Sequence, residues 1–476
     1  METQPVLAKY QSVHLSAECF PIAKVGGLGD VAGALPKYLN LAGVKSCAFL
    51  PYYNQKWNAQ NKTIPIYHGS IQREGFYKEY FIRFYKDAGL GFDIFFVDMP
   101  DLLYRENVYG YDDDPLRFLF FQQAALDWLC TWKHKPEVFH CHDYHTGLIP
   151  FMIHQCPSLS VLKGIKTVFT IHNGLYTGAF EWSLAKYFPH FYLERRGLLE
   201  WNNVINPLAS AIKCCDRLTT VSEGYLEELK AHDNPLHWLY NEFWQKSKGI
   251  VNGIDTEVWD PVTDENLASK YTDSWDDFKL KNKKAVCESV GLNPDLPLTV
   301  FIGRLNVEKG GEVLTQGIEE FVHRNRNMNF YVLGSGANNI EDKIRNLSHH
   351  FKNTIANYIG YNEALAHRLY AAADFLIMPS IIEPCGLNQL YALRYATIPM
   401  VRSVGGLKDT VVDFGEEQGY GIRFDKANAH DVVYSLNRAV ALYADKIKLK
   451  SVRKHCVALD FSWTKAVKKY IEIYKN

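Results

Sequence analysis

Arg304 and Lys309 stand in FIGRLNVEKGGEVL (301–314), a strand-like run followed by a loop and a helical pattern. Two cations on such a loop, beside a helix N-terminus, make an anion clamp: guanidinium and ammonium neutralise phosphate while backbone N–H groups add their dipoles. The bland alternative is a pair of solvated surface cations. Glu383 lies in MPSIIEPCGLNQLYALRYATIPMV (378–401), just ahead of a helical pattern that opens with Gly386. A carboxylate there can grip sugar hydroxyls while the turn's amides face a phosphate; ordinary capping is the alternative. Lys24 precedes a glycine pair in PIAKVGGLGDVAG (21–33), where missing side chains let a ligand approach the main chain. Asp30, in the same stretch, is expected to do no more than cap the helix that follows. A second Gly-Gly-Leu in SVGGLKDTVVD (403–413) echoes the first, as if both pairs faced one cleft.

His172 and Asn173 follow a buried-looking strand in FTIHNGLYTGAF (169–180), where an imidazole can hydrogen bond to a sugar hydroxyl; a core histidine is the alternative. FHCHDYHTG (139–147) crowds His140, Cys141, His142 and His145 together. On a strand His140 and His142 share a face while Cys141 points the other way, so tetrahedral metal ligation is not implied. Strand-end hydrogen bonding, or a sugar contact by Asp143, is the favoured reading. The acidic run in YGYDDDPLRF (109–118) ends in Asp114-Pro115, an ordinary helix start rather than a metal–diphosphate site. Neither glycine pair, nor LGSGANN (333–339), completes the dinucleotide fingerprint Gly-x-Gly-x-x-Gly.

The elements that must position these residues alternate in type. KSCAFLPYY, FDIFFVDM, EVFHCHD, KTVFTIHN and DRLTTVS read as strands, with amphipathic segments such as RFLFFQQAALDWLCTW (117–132) between them. That alternation predicts a parallel sheet covered on both faces, with ligands beyond the carboxyl ends of its strands. The rhythm restarts after a polar stretch (260–297), in which Trp275, Phe278 and Val286 predict a surface helix. A chain of 476 residues exceeds the roughly 250–300 residues that one core sustains, so two α/β domains are expected, divided near 253–296. A net charge of −1 offers no field for nucleic acid or an anionic membrane. The first residues lack a signal-peptide pattern, no apolar run reaches membrane-spanning length, and the ten scattered cysteines suit a reducing cytoplasm.

KVGGLGDV, HDYHTGL, HNGLYTG, VNGIDTEVWDP, GRLNVEKG, the block from IGYNEALAHRLYAAADFLIMPSIIEPCGL to VGGLKDTV, and FSW occur in one order. Together they resemble the bacterial glycogen synthases and plant starch synthases, nearly end to end. The resemblance implies the GT-B fold: two Rossmann-like domains, with parallel sheets facing a deep interdomain cleft. Expected boundaries are 1–255 for the N-terminal domain, 256–455 for the donor domain and 456–476 for a helix crossing back. It implies a retaining glucosyltransferase that moves glucose from ADP-glucose to the non-reducing 4-hydroxyl of an α-1,4-glucan. By resemblance Arg304 and Lys309 hold the donor diphosphate, and Lys24 with the Gly27 amide approaches the phosphates. His172 bonds the transferred glucose, Glu383 grips another of its hydroxyls, and the amides of Cys385, Gly386 and Leu387 take the sugar and distal phosphate. Tyr361 stacks on the base; Asp143 and Asn252 line the sugar and acceptor region. No metal or other cofactor is implied, since Arg and Lys stand where magnesium would. The alternatives are a GT-B enzyme using UDP-glucose or another acceptor, and a non-catalytic carbohydrate-binding homologue. The chain departs from the family pattern at Val25, usually threonine, at Tyr391, where many retaining GT-B enzymes carry a second glutamate, and in the loop after His172.

Overall fold

The computed structural model describes residues 9–73, 75–86 and 89–476. The chain divides into two compact units, one of Met1–Val221, Leu226–Gly253 and Trp463–Asn476, the other of Ser222–Tyr225 and Ile254–Ser462.

The first unit is built on strands β1 (Ser12–Leu15), β2 (Ser46–Pro51), β3 (Ile64–Arg73), β4 (Phe76–Tyr85), β5 (Asp93–Asp98), β6 (Val138–His142) and β7 (Lys166–Ile171). A small hairpin follows, β8 (Glu200–Trp201) with β9 (Val204–Ile205), and then β10 (Arg217–Thr220) and β11 (Ser247–Gly249) return to the sheet. Its nine strands run in the order β11-β10-β7-β6-β1-β2-β5-β4-β3. The runs read as strands in the sequence are β2, β5, β6, β7 and β10, all in parallel pairings. They are buried along nearly their whole length because helices cover both faces of such a sheet. The β3–β4 hairpin departs from the expected parallel pattern. It extends the edge in antiparallel pairing, and its side chains are mostly exposed or half-buried, so no apolar run marks it.

Helix Gly27–Leu41 lays Val31, Leu35, Tyr38 and Leu39 against Val138 and Val168 of the sheet. The same cluster takes Trp463, Ala466, Val467, Tyr470 and Ile473 from the last helix, Trp463–Lys475. Sequence reasoning opened this helix's segment at residue 456. The preceding helix, Lys446–Ala458, instead runs on and buries Leu449, Val452 and Cys456 in the second unit's core, so the crossing falls at 462/463. The other crossing falls at 253/254, where Gly253 lies so close to Trp463 that a Cβ would come within 2.5 Å of its backbone.

The second unit holds β12 (Leu298–Ile302), β13 (Asn329–Gly334), β14 (Ile355–Ile359), β15 (Phe375–Met378), β16 (Ile398–Arg402) and β17 (Ile422–Phe424) in the parallel order β14-β13-β12-β15-β16-β17. Period-two side chains supply two separate cores. Phe301, Phe330, Val332, Phe375 and Ile377 enter one; Val300, Tyr331, Leu333, Leu376 and Met378 enter the other. The polar stretch expected to hold a surface helix does so at Trp275–Val290, capped by Ser274 and buried through Phe278 and Val286. Among the described residues no helix is long and apolar enough to cross a membrane.

Candidate active site

In the second unit the loop after β12 and the loop after β15 are joined. The Glu308 carbonyl accepts the N–H groups of Ile381 and Ile382 at 2.8 and 3.2 Å, and Asn388 donates its side-chain amide to the Ile302 carbonyl at 2.5 Å. Arg402 donates to the carbonyls of Ser380 and Ile381 from behind. The joined loops bring Lys309 Nζ to 2.6 Å from Glu383 Oε1, while Ser380 Oγ donates to Glu383 Oε2 at 2.9 Å. Glu383 is buried, so neither capping nor solvation describes it. Helix Asn388–Arg394 begins after Leu387 with no side-chain cap. Arg304 is half exposed and pairs with Glu308 at 3.2 Å.

Cys385 is buried, and Gly386 takes a left-handed turn (φ 73°), where a Cβ would also strike Gln389 at 2.4 Å. Gln389 donates to the carbonyls of Cys385 and Gly386 and to Thr410 Oγ1, fixing the turn from below. The second Gly-Gly-Leu has the same supporting role. Gly406 N–H donates to the Glu383 carbonyl at 3.1 Å, and a Cβ there would meet the Cys385 carbonyl oxygen at 2.3 Å. The expected equivalence of the two glycine pairs therefore fails: this pair is buried against the chain itself. Tyr361 follows β14, is 73% exposed, and donates its hydroxyl to Glu363. Tyr391 instead stacks on Trp259 at 3.9 Å, inside a column that His367 closes on the far side.

In the first unit the loop after β1 is wrapped around a carboxylate that sequence reasoning passed over. Glu18, buried, accepts the N–H groups of Val25 and Gly26 at 2.6 and 2.8 Å and the Tyr109 hydroxyl. Its place just past a parallel strand's carboxyl end is the signal that could have found it. Lys24 Nζ lies 2.7 Å from Asp30 Oδ1. That corrects the reading of Asp30, since the helix is capped by Gly26 without a side-chain bond and Asp30 serves as counterion to Lys24. Nothing in the described chain comes within 4 Å of a Cβ built at Gly26 or Gly27.

Asp143 follows β6 with positive φ (56°), unusual outside glycine, and accepts the His172 N–H at 2.7 Å. Burial raises its carboxyl to about 7, against the pull of the His172 and Asn173 N–H groups and with a further push from Glu18. His172 follows β7, buried, and burial lowers its imidazole to about 3. Its Nε2 meets His142 Nδ1 at 3.0 Å. Asn252 follows β11 with its side-chain oxygen buried and without a hydrogen-bond partner among the described residues, an acceptor ready for a ligand hydroxyl. Asp143, His172 and Asn252 thus sit just past the carboxyl ends of parallel strands, while Lys24 and Gly27 stand at the far end of the loop after β1, where the helix begins. The acidic run before helix Asp114–Thr131 is engaged internally: Asp114 takes the Gly110 N–H at 2.8 Å and pairs with buried Arg117.

Comparison with known proteins adds the chemistry's context. A family model described as the starch synthase catalytic domain matches residues 12–242, and one described as glycosyl transferases group 1 matches 297–441. A glycogen synthase of Flavobacterium johnsoniae is 46% identical over 97% of this chain and 98% of its own. One of Streptococcus mutans is 35% identical over 97% of this chain and 98% of its own. The catalytic domain of starch synthase IV from Arabidopsis thaliana, solved with ADP and acarbose bound, superposes with a TM-score of 0.89 at 30% identity, covering 98% of this chain and 99% of that one.

Proposed function

The chain belongs to the glycogen synthase and starch synthase family, a glycosyltransferase of the GT-B fold, and we propose from there how its own residues share the reaction. The donor is ADP-glucose and the acceptor the non-reducing 4-hydroxyl of an α-1,4-glucan, with the anomeric configuration retained. The ADP and acarbose bound to the Arabidopsis relative support both ligands. Arg304 and Lys309 hold the donor diphosphate and neutralise the charge that gathers on it as the glycosidic bond breaks. The Lys309–Glu383 contact at 2.6 Å is the observation that carries this reading. It fixes a cation for the phosphate and a carboxylate for a sugar hydroxyl on one rigid pair of loops, so neither group has to be gathered during reaction. Lys24 and the Gly27 amide contact the donor phosphates, Tyr361 stacks on the base, and the turn at Cys385, Gly386 and Leu387 offers its amides to sugar and phosphate. His172 holds the transferred glucose. Asp143 orients His172 through its backbone, and Asn252 takes an acceptor-side hydroxyl.

The reading calls on no metal, because fixed cations already supply the charge, and full turnover in excess chelator is the expected result. A reducing cytoplasmic setting suits the chain's ten free thiols. Nucleotide release measured with ADP-glucose and UDP-glucose, with and without glycogen, tests the whole assignment. Fast glycogen-dependent release from ADP-glucose is expected; release from neither donor would sink it. Arg304→Ala is the cleaner variant. Its half-exposed pair with Glu308 is worth about 0–1 kcal/mol to the fold, whereas loss of a transition-state cation costs about 10²–10³ in turnover.

A further inference from the structure

Behind His172 lies a line of polar side chains that the reaction as described leaves unused. His172 Nε2 faces His142 Nδ1 at 3.0 Å, and His142 Nε2 faces His14 Nδ1 at 3.1 Å. His14 Nε2 then meets the Tyr474 hydroxyl at 3.4 Å, and the same hydroxyl meets His140 Nδ1 at 2.7 Å. His140 Nε2 ends the line on Thr170 Oγ1 at 2.6 Å, itself 2.6 Å from Thr219 Oγ1. His14, His140 and His142 each place a ring nitrogen within 4.8 Å of the others, the spacing of a metal nest. Yet both nitrogens of each ring already face a hydrogen-bonding neighbour. A relay accounts for that pairing, and a divalent ion would disrupt it.

The four imidazoles are neutral, since burial holds each well below its ordinary value. A neutral imidazole has one donor nitrogen and one acceptor, and a phenol has one proton. The three rings His14, His142 and His172 can therefore point only one way or the other as a unit. If Tyr474 gives its proton to His140, then His140 donates to Thr170, His14 donates to Tyr474, His142 donates to His14, and His172 donates to His142. Reversing the His14 bond reverses the two beyond it, whereas a reversal at His140 stops at Tyr474, whose oxygen can accept twice and which also meets Ser12. The distances choose between the directions. Of the two ring contacts of Tyr474 the shorter, at 2.7 Å to His140, takes the phenol proton, the 3.4 Å contact is then a weak N–H···O bond from His14, and Thr170, giving its own proton to Thr219, accepts from His140.

We propose that Tyr474, on the C-terminal helix, is a positioning residue that keeps the proton of His172 on Nε2 and leaves Nδ1 bare to accept a hydrogen bond from a sugar hydroxyl. The proton assignment stands by itself; its use rests on the sugar contact given to His172 above. The helix end is well anchored for the task, with Lys166 Nζ donating to the Tyr474 carbonyl at 2.9 Å and Arg217 to the Asn476 carbonyl at 2.5 Å.

In Tyr474→Phe, His14 Nε2 has no acceptor, and a buried N–H without a partner costs more than a bare nitrogen. The His14 proton moves to Nδ1, and the line reverses to put the proton of His172 on Nδ1. Thr170→Val is the control: His140 loses its acceptor and donates to Tyr474 instead, but the Tyr474 oxygen still accepts from His14, its proton turns to Ser12, and the His172 proton stays on Nε2. Nitrogen NMR of the histidine-labelled full chain reads the tautomer directly, with the His172 signal assigned by its loss in His172→Gln. The expected result is an Nε2 proton in the parent and in Thr170→Val and an Nδ1 proton in Tyr474→Phe. In Tyr474→Phe kcat should fall about five- to tenfold, the worth of one neutral hydrogen bond, with donor KM little changed. An unchanged His172 tautomer in folded Tyr474→Phe, a reversed one in Thr170→Val, or a stoichiometric metal in the protein as isolated, would overturn the relay. A reversed tautomer with unchanged kcat would keep the relay and overturn the sugar contact of His172.

Discussion

A methyl group added at Gly26 or Gly27 would meet no atom within 4 Å, whereas one at Gly406 would meet the Cys385 carbonyl oxygen at 2.3 Å. Gly27→Ala should therefore leave thermal unfolding within about 0.5 kcal/mol of the parent, as an open surface change does, while raising the donor KM about tenfold or more. Gly406→Ala should do the reverse in order of cause. The displaced turn costs about 1–3 kcal/mol of stability, and turnover falls because Glu383 and Gly386 move with it. Unfolding curves and donor titrations on the two variants check both. Glu383→Gln keeps the Ser380 hydrogen bond and the side chain's volume but removes the charge that holds Lys309, and turnover should drop about 10²–10³ with little change in fold. Lys309, Glu383 and His172 were legible in the sequence because each follows an apolar strand-like run. Glu18 and the Lys24–Asp30 pair were not, because a loop that folds back on itself carries no periodic signal. Nor could spacing show that the second glycine pair is spent on packing.

The elements differ in how plainly they announce themselves. Parallel strands are buried nearly throughout and carry short apolar runs bounded by polar loops, so β2, β5, β6 and β7 stand out, as do β12, β13 and β15 of the second unit. β3 and β4 alternate in burial at an edge and stay hidden. The histidine line joins residues on β1, β6 and β7 with one on the last helix, and only strand order and register bring these together. That last helix shows its apolar face in sequence, but the seat it fills, formed by Val31, Leu35 and Tyr38, lies more than 400 positions upstream. Trp463→Ala should cost about 3–5 kcal/mol, the usual range for deleting a buried tryptophan, and lower the chemical-denaturation midpoint accordingly. A midpoint within error of the parent would show that the helix is not seated.

At the scale of the whole molecule, buried titratable groups set the pH range of stability. Burial holds His14, His145 and His172 down to about 3, and His140 and His142 well below their usual range. Unfolded, each takes up a proton near 6.5. Their stabilisation is thus complete above that pH and is lost as pH falls toward 3, at up to about 1.4 kcal/mol per pH unit for each imidazole. Asp143 works in the opposite sense: between 3.8 and about 7 the folded chain holds a proton that the unfolded chain lacks. The imidazoles outnumber it, so the urea midpoint should fall steadily on acidification below 6.5; a flat profile would contradict the neutral histidines. The return of Trp463–Asn476 to the first unit has a consequence for how the chain is made. A ribosome delivers those residues only after the whole of the second unit. The usual order, in which an N-terminal domain sets before its neighbour is synthesised, is closed here. The second unit, nearly all in the single stretch Ile254–Ser462, is complete as it emerges, while the first must wait for Trp463–Asn476 before its core can close.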